Sequence, residues 1–124
     1  MLIDDNIHAN YFNEIKLQQN NACDKITIFM NGKEALDYLV TNEETDVDLI
    51  LLDINMPVMN GWQFLSNIER VWRELEKSIP IFILSSSVNT YDKQKSAEYQ
   101  SVKGFINKPL NDNDLKEMID FVLQ

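Results

Sequence analysis

The chain has 124 residues, 44% of them hydrophobic, and carries 20 acidic against 11 basic side chains, for a formal net charge of −9. That apolar content fills one packed domain and the length is too short for two, while the acidity disfavours nucleic acid and anionic lipid as partners. No apolar run approaches the roughly 18–20 residues that cross a bilayer, charge arrives at Asp4 before any signal-peptide core, and a single cysteine, Cys23, cannot form an internal disulfide, so a reducing, cytoplasmic setting is expected.

Met1-Leu2-Ile3 is a short apolar run that ends in Asp4-Asp5. Ile7, Tyr11 and Ile15, with Phe12 beside them, then repeat at helical spacing. Ile26-Thr27-Ile28-Phe29 is β-branched and aromatic and predicts a strand. After Asn31-Gly32, the stripe Ala35, Leu36, Leu39 and Val40 predicts a second helix. Leu49-Ile50-Leu51-Leu52 is continuously apolar and stops at Asp53, as a strand covered on both faces would. Asn60-Gly61 reads as a turn, after which Phe64, Leu65, Ile68, Val71, Trp72 and Leu75 recur every 3.6 residues. Ile81-Phe82-Ile83-Leu84 is a second buried strand, closed by Ser85-Ser86-Ser87. A more polar helix is expected from about Asp92 to Gln100, then a short strand, Gly104 to Asn107, ending at Lys108-Pro109. Asn111 is a good N-cap with Asp114 three residues on, and Leu115, Met118, Ile119 and Val122 line the last helix.

No repeat, low-complexity tract or Pro/Gly/Ser-rich linker divides the chain, so residues 1–124 read as one domain with no output domain in it. Five strand-then-helix units predict an α/β fold with a parallel, doubly wound sheet. Ligands of such sheets lie beyond the carboxyl ends of the strands. The residues there are Asp4, Asp5, Asp53, Ser85 and Lys108. Three converging carboxylates need compensation, and Lys108 supplies only one positive charge. Mg²⁺ suits the remainder, because it takes one or two carboxylates, keeps waters and leaves room for phosphate oxygens. No His/Cys cluster favours zinc. One carboxylate can then attack a phosphoryl group, and Asp53, on the central strand, is the best placed, with Ser85 near enough to hydrogen-bond a phosphoryl oxygen.

Five segments in this order and spacing resemble the receiver domain of two-component response regulators. They are Leu2-Ile3-Asp4-Asp5-Asn6, Asn31-Gly32-Lys33-Glu34-Ala35-Leu36, Leu51-Leu52-Asp53 through Met56-Pro57 to Asn60-Gly61, Ile83-Leu84-Ser85-Ser86, and Gly104-Phe105-Ile106-Asn107-Lys108-Pro109. The resemblance covers the whole chain. It implies a flavodoxin-like (βα)5 sheet in the order 2-1-3-4-5, which periodicity alone does not give. It also implies that Asp53 is the phosphoacceptor and that a histidine kinase or histidine phosphotransfer protein is the donor. Mg²⁺, with Mn²⁺ as a substitute, would be bound by Asp5, Asp53 and the backbone carbonyl of Asn55, with Asp4 acting through water. Lys108 would pair with the acceptor carboxylate and then with the phosphoryl group. Ser85 and Phe105 would be the switch pair that repacks the face of the fourth helix, fifth strand and fifth helix. That face would be read by a downstream protein or by a second copy of the chain. Asn55 and Ser87 would tune dephosphorylation, and Lys108-Pro109 would be cis.

Blander readings accompany these. Asp4-Asp5 could cap a helix, Asp53 could belong to a turn, and Phe105 could be plain core. His8 reads as a solvated helix residue, Cys23 as inert, Trp62 as packing, and Glu43 to Asp48 as an acidic connector. Two other functions compete: a haloacid-dehalogenase-type aspartyl-phosphate phosphatase, and a receiver-like adaptor independent of phosphorylation. The former family wants an Asp two residues after its nucleophile, where this chain has Asn55. No turnover enzyme is expected.

Overall fold

The structure is a computed structural model that describes residues 1–42, 46–86 and 89–123. Its elements in chain order are β1 (Leu2–Ile3), α1 (Ile7–Gln19), β2 (Ile28–Phe29), α2 (Gly32–Thr41), β3 (Ile50–Asp53), α3 (Gly61–Leu75), β4 (Ile81–Ser85), α4 (Thr90–Ser96), β5 (Val102–Asn107) and α5 (Asp112–Val122). The strands form one parallel sheet in the order β2-β1-β3-β4-β5. This is the doubly wound arrangement expected.

Alternation along the strands sorts the core into two layers. Ile3, Ile50, Leu52, Ile81 and Ile83 face one way, against Ala35 and Leu39 of α2 and Phe64, Leu65, Ile68 and Trp72 of α3. Leu2, Leu51, Phe82 and Leu84 face the other way, against Leu17 of α1 and Leu115 and Met118 of α5. β3 and β4 are buried along their whole length, which explains their unbroken apolar runs. Each fully buried Leu, Ile or Phe contributes roughly 1.5–3 kcal/mol.

Every one of the five helices begins with an asparagine cap: Asn6, Asn31, Asn60, Asn89 and Asn111 each accept a backbone N–H of the first turn. Such a cap contributes about 1 kcal/mol over alanine. Asn60 and Asn111 form complete capping boxes with Gln63 and Asp114. Asn60-Gly61 is therefore the start of α3 rather than a free turn, and Asn6, not Asp4 or Asp5, caps α1.

The structure departs from the sequence expectations at several elements. α1 forms where its periodicity put it, but of the stripe that located it only Ile15 is half-buried and the rest is exposed. Ile7 and Tyr11 are each 66% exposed and Phe12 46%, while Asn10, Asn13 and Leu17 are buried. The facing is set by the short β1–α1 connection and by a hydrogen bond from Asn10, which outweigh hydropathy here. α4 begins earlier than expected and is short, its last turn relaxing into the bends that lead to Tyr99. β2 keeps only Ile28–Phe29 of its apolar run, whereas β5 starts at Val102, ahead of Gly104. The β5 start is held by Glu69 of α3, whose Oε1 accepts the Ser101 backbone N–H and hydroxyl at 2.8 and 2.7 Å. Among the described residues no helix is long and apolar enough to cross a membrane.

Candidate functional site

The parallel order brings the carboxyl ends of β1, β3, β4 and β5 to one edge of the sheet. Asp4 follows β1 directly, Asp53 and Ser85 are the last residues of β3 and β4, and Lys108 is one residue past β5. The carboxylates of Asp4, Asp5 and Asp53 offer oxygen atoms that all lie within 4.8 Å of one another.

Asp4 is buried, and each of its polar atoms has a partner. Its N–H donates to the Phe29 carbonyl at 3.1 Å. Its carbonyl accepts from Asn10 Nδ2 at 2.8 Å. Oδ1 accepts the Asn6 N–H at 2.9 Å, and Oδ2 accepts from Lys108 Nζ at 2.7 Å. Asp5, by contrast, is exposed. Lys108 Nζ lies 3.7 Å from Asp53 Oδ1, an ion pair as expected, but it is nearer to Asp4. Of the two side chains Asp4 is the less exposed, and the compact ammonium sits against the carboxylate that water solvates least. The backbone fixes Lys108 too: its N–H donates to the Ser85 carbonyl at 2.9 Å, and the Lys108-Pro109 peptide is cis.

The electrostatics single out Asp53. Burial, followed by repulsion from Asp4, pushes its carboxyl from 3.8 up to about 6, although Lys108 and a hydrogen bond from the Asn55 backbone N–H pull it back and Asp5 adds a smaller push. A carboxylate whose ionised form is this poorly compensated calls for a further cation. The donor set is all oxygen and lacks His and Cys, which fits a hard ion such as Mg²⁺ or Mn²⁺ and does not fit zinc.

Ser85 is buried. Phe105 lies two residues before the β5 terminus, opposite Ile83, and is half-buried against the α2–α3 layer. Ser87, and Glu43 to Thr45 of the acidic connector, lie outside the described residues. His8 and Cys23 are exposed and stand apart from the carboxylate cluster. Burial pushes the Cys23 thiol up, away from the reactive thiolate. Trp62 stacks on Tyr99 with ring centroids 5.9 Å apart, and Lys95 Nζ sits 5.1 Å over the Trp62 ring. It thus packs α3 against α4.

The connection after Asp53 is tightly closed. The Gly61 N–H returns to the Ile54 carbonyl at 2.8 Å, so α3 begins directly on the end of β3. Within the loop, the Met59 N–H reaches the Pro57 carbonyl at 2.8 Å, a three-residue γ-turn around Val58, whose φ is 69° and which is 85% exposed. A β-branched residue there is strained by roughly 1–2 kcal/mol. Val58→Gly is expected to stabilise the protein by about 0.5–1 kcal/mol after the entropic cost of glycine, read as a higher urea midpoint. A lower midpoint would show that Val58 is not strained.

A family model described as the response regulator receiver domain matches residues 1–120. A probable methanogenesis regulatory protein, FilR2, of Methanothrix harundinacea is 33% identical over 99 residues, covering 77% of this chain and 62% of that protein. The chain spans less than two thirds of the first curated relatives it matches, down to 6% of a hybrid signal transduction histidine kinase of Dictyostelium discoideum. Among solved structures, a two component response regulator from Cytophaga hutchinsonii superposes with a TM-score of 0.90 at 27% identity, covering 98% of this chain and 93% of that one. The Mn²⁺-bound form of the response regulator Rcp1 gives 0.74 at 26% identity, covering 98% and 88%.

Proposed function

The chain belongs to the response regulator receiver family of two-component signalling, and from that premise we propose that it is a phosphorylation-driven switch with Asp53 as acceptor. The observation that carries this reading is the cluster itself. Three carboxylates gather at one strand-end edge of the sheet, Lys108 lies 2.7 Å from Asp4 and 3.7 Å from Asp53, and Asp53 is the one pushed up to about 6.

In this reading an Asp53 carboxylate oxygen attacks the phosphorus of a partner's phosphohistidine. The P–N bond breaks, the imidazole leaves with its electron pair, and an acyl phosphate forms on Asp53. Lys108 turns from Asp4 toward the phosphoryl oxygens, and the buried Ser85 hydroxyl donates to one of them. Mg²⁺, or Mn²⁺, would be held by Asp5, Asp53 and the Asn55 carbonyl, with Asp4 through water, and when bound it supplies positive charge beside the phosphoryl oxygens. As Ser85 is drawn in, Phe105 follows, and the α4-β5-α5 face changes shape for a downstream protein or a second copy of the chain. Asn55, and Ser87 outside the described residues, set the lifetime of the acyl phosphate. We place this receiver domain, residues 1–124, in the cytoplasm, with another protein rather than nucleic acid or membrane as what its surface docks on.

The test is direct phosphorylation. With Mg²⁺ and a small phosphodonor, the intact chain is expected to gain one base-labile phosphoryl group, seen by mass spectrometry. The Asp53→Asn variant is expected to gain none. Equal labelling of that variant would overturn the acceptor assignment. Multiple-turnover hydrolysis of phosphomonoesters would favour a phosphatase, and partner binding indifferent to beryllofluoride would favour a phosphorylation-independent adaptor.

A further inference from the structure

We propose that Asn10 is a positioning residue for the metal site, holding the Asp4–Asp5 peptide in the plane that aims Asp5 at the ion. The inference rests on the metal-binding reading above. Asn10 is 3% exposed, on the same inward face of α1 as Leu17. The chain keeps an amide there, although its Oδ1 is buried and has no partner. A half-satisfied buried amide is retained against its own desolvation only if its other half matters. That half is Nδ2, which donates to the Asp4 carbonyl at 2.8 Å and lies 3.4 Å from Met30 Sδ.

The geometric consequence follows from peptide planarity. The Asp4 carbonyl, the Asp5 N–H and both flanking Cα atoms are coplanar. Anchoring the carbonyl therefore limits the direction in which the Asp5 side chain leaves the backbone. Asp4 needs no such help, because Phe29, Asn6 and Lys108 already hold its N–H and both carboxylate oxygens. Asp5 is exposed, and the Asn10 bond fixes the peptide that carries it. Asn13 provides an internal comparison. It is also buried on the inward face of α1, three residues further from the site, and it is not bonded to the acidic loop.

The experiment is a Mg²⁺ titration by calorimetry on wild type, Asn10→Leu and Asn13→Leu, with urea unfolding in chelator alongside. Asn10→Leu is expected to weaken Mg²⁺ binding three- to tenfold in protein that urea unfolding in chelator shows to be folded. Asn13→Leu is expected to bind Mg²⁺ as the wild type does. Should Asn10→Leu fail to fold, Asn10→Ser, too short to reach the Asp4 carbonyl, is expected to show the same loss. Unchanged affinity in the Asn10 variant, or an equal loss in the Asn13 variant, overturns the positioning role and leaves the switch reading intact. A wild type that takes up no Mg²⁺ overturns both.

Discussion

In chelator near neutral pH, the Asp53→Asn variant is expected to be more stable than the wild type by on the order of 1–2 kcal/mol, the shift being discounted for the water that still screens this carboxyl. The cause is the poorly compensated acceptor carboxylate, whose carboxyl is pushed from 3.8 to about 6 by burial first and by Asp4 next. A group raised in the folded state favours folding fully below its unfolded value and loses that contribution as pH rises through its folded value. The wild type thus gives up this stability between pH 3.8 and about 6, where the unfolded chain has released a proton that the folded chain still holds. The asparagine variant has no proton to release. Its advantage is expected to be near zero below about pH 3, to grow from there to about pH 6 and to level off above it. Added Mg²⁺ is expected to narrow the gap, because only the wild type then gains a counter-charge at Asp53. Urea unfolding of both proteins along a pH series reads the effect. A gap that is absent at neutral pH, or that does not depend on pH, would show that Asp53 is not strained electrostatically. In the proposed switch the same strain serves Asp53 as acceptor, since ligands that bring positive charge relieve it.

The residues of the site were readable because strand termini in this chain are abrupt. Leu52 gives way to Asp53, Leu84 to Ser85 and Ile3 to Asp4, each a change from apolar to polar within one residue. Which strands neighbour one another was not readable from periodicity, because alternation specifies faces and not order; family resemblance supplied it. The facing of α1 was not readable either. Ile7, Tyr11 and Phe12 look like a core stripe and are exposed, while the asparagines that look like surface are buried. The decisive interaction there, Asn10 with the Asp4 carbonyl, joins a side chain to a backbone atom six residues away, and no hydropathy pattern encodes it. A signal was available at the helix starts: Asn6, Asn31, Asn60, Asn89 and Asn111 each precede a helix, and of these only Asn111 was recognised as a cap from its neighbours. The choice of Lys108 for Asp4 over Asp53 depends on relative burial, which only the fold defines.

Gly61→Ala is expected to cost about 3 kcal/mol or more and to lower phosphorylation of whatever protein still folds. Helix propensity alone predicts the opposite sign, since alanine is better than glycine by up to about 1 kcal/mol inside a helix. Packing wins here. A Cβ on Gly61 would lie 2.7 Å from the Ile54 Cα and 2.9 Å from the Asp53 carbonyl oxygen, and both are backbone atoms that cannot rotate away. Relief requires α3 to lift off β3, which stretches the 2.8 Å bond from the Gly61 N–H to the Ile54 carbonyl. That bond closes the loop whose Asn55 N–H bonds the Asp53 carboxylate, so the loss should reach the acceptor itself. Gly32→Ala is the matched control, at the first residue of α2. Its nearest contact, the Met59 carbonyl oxygen, is 3.0 Å away, so the neighbour has to give by only a few tenths of an ångström, less than the 2.7 and 2.9 Å contacts at Gly61 demand. Its expected cost is below about 1.5 kcal/mol, with phosphorylation retained. Urea unfolding gives the stabilities, and labelling rates on the folded fraction give the site effect. Equal costs for the two variants would mean that the backbone contact at Gly61 yields as easily as the one at Gly32 does. A Gly61→Ala protein that labels normally would show that the seat of α3 on β3 does not set the position of Asp53.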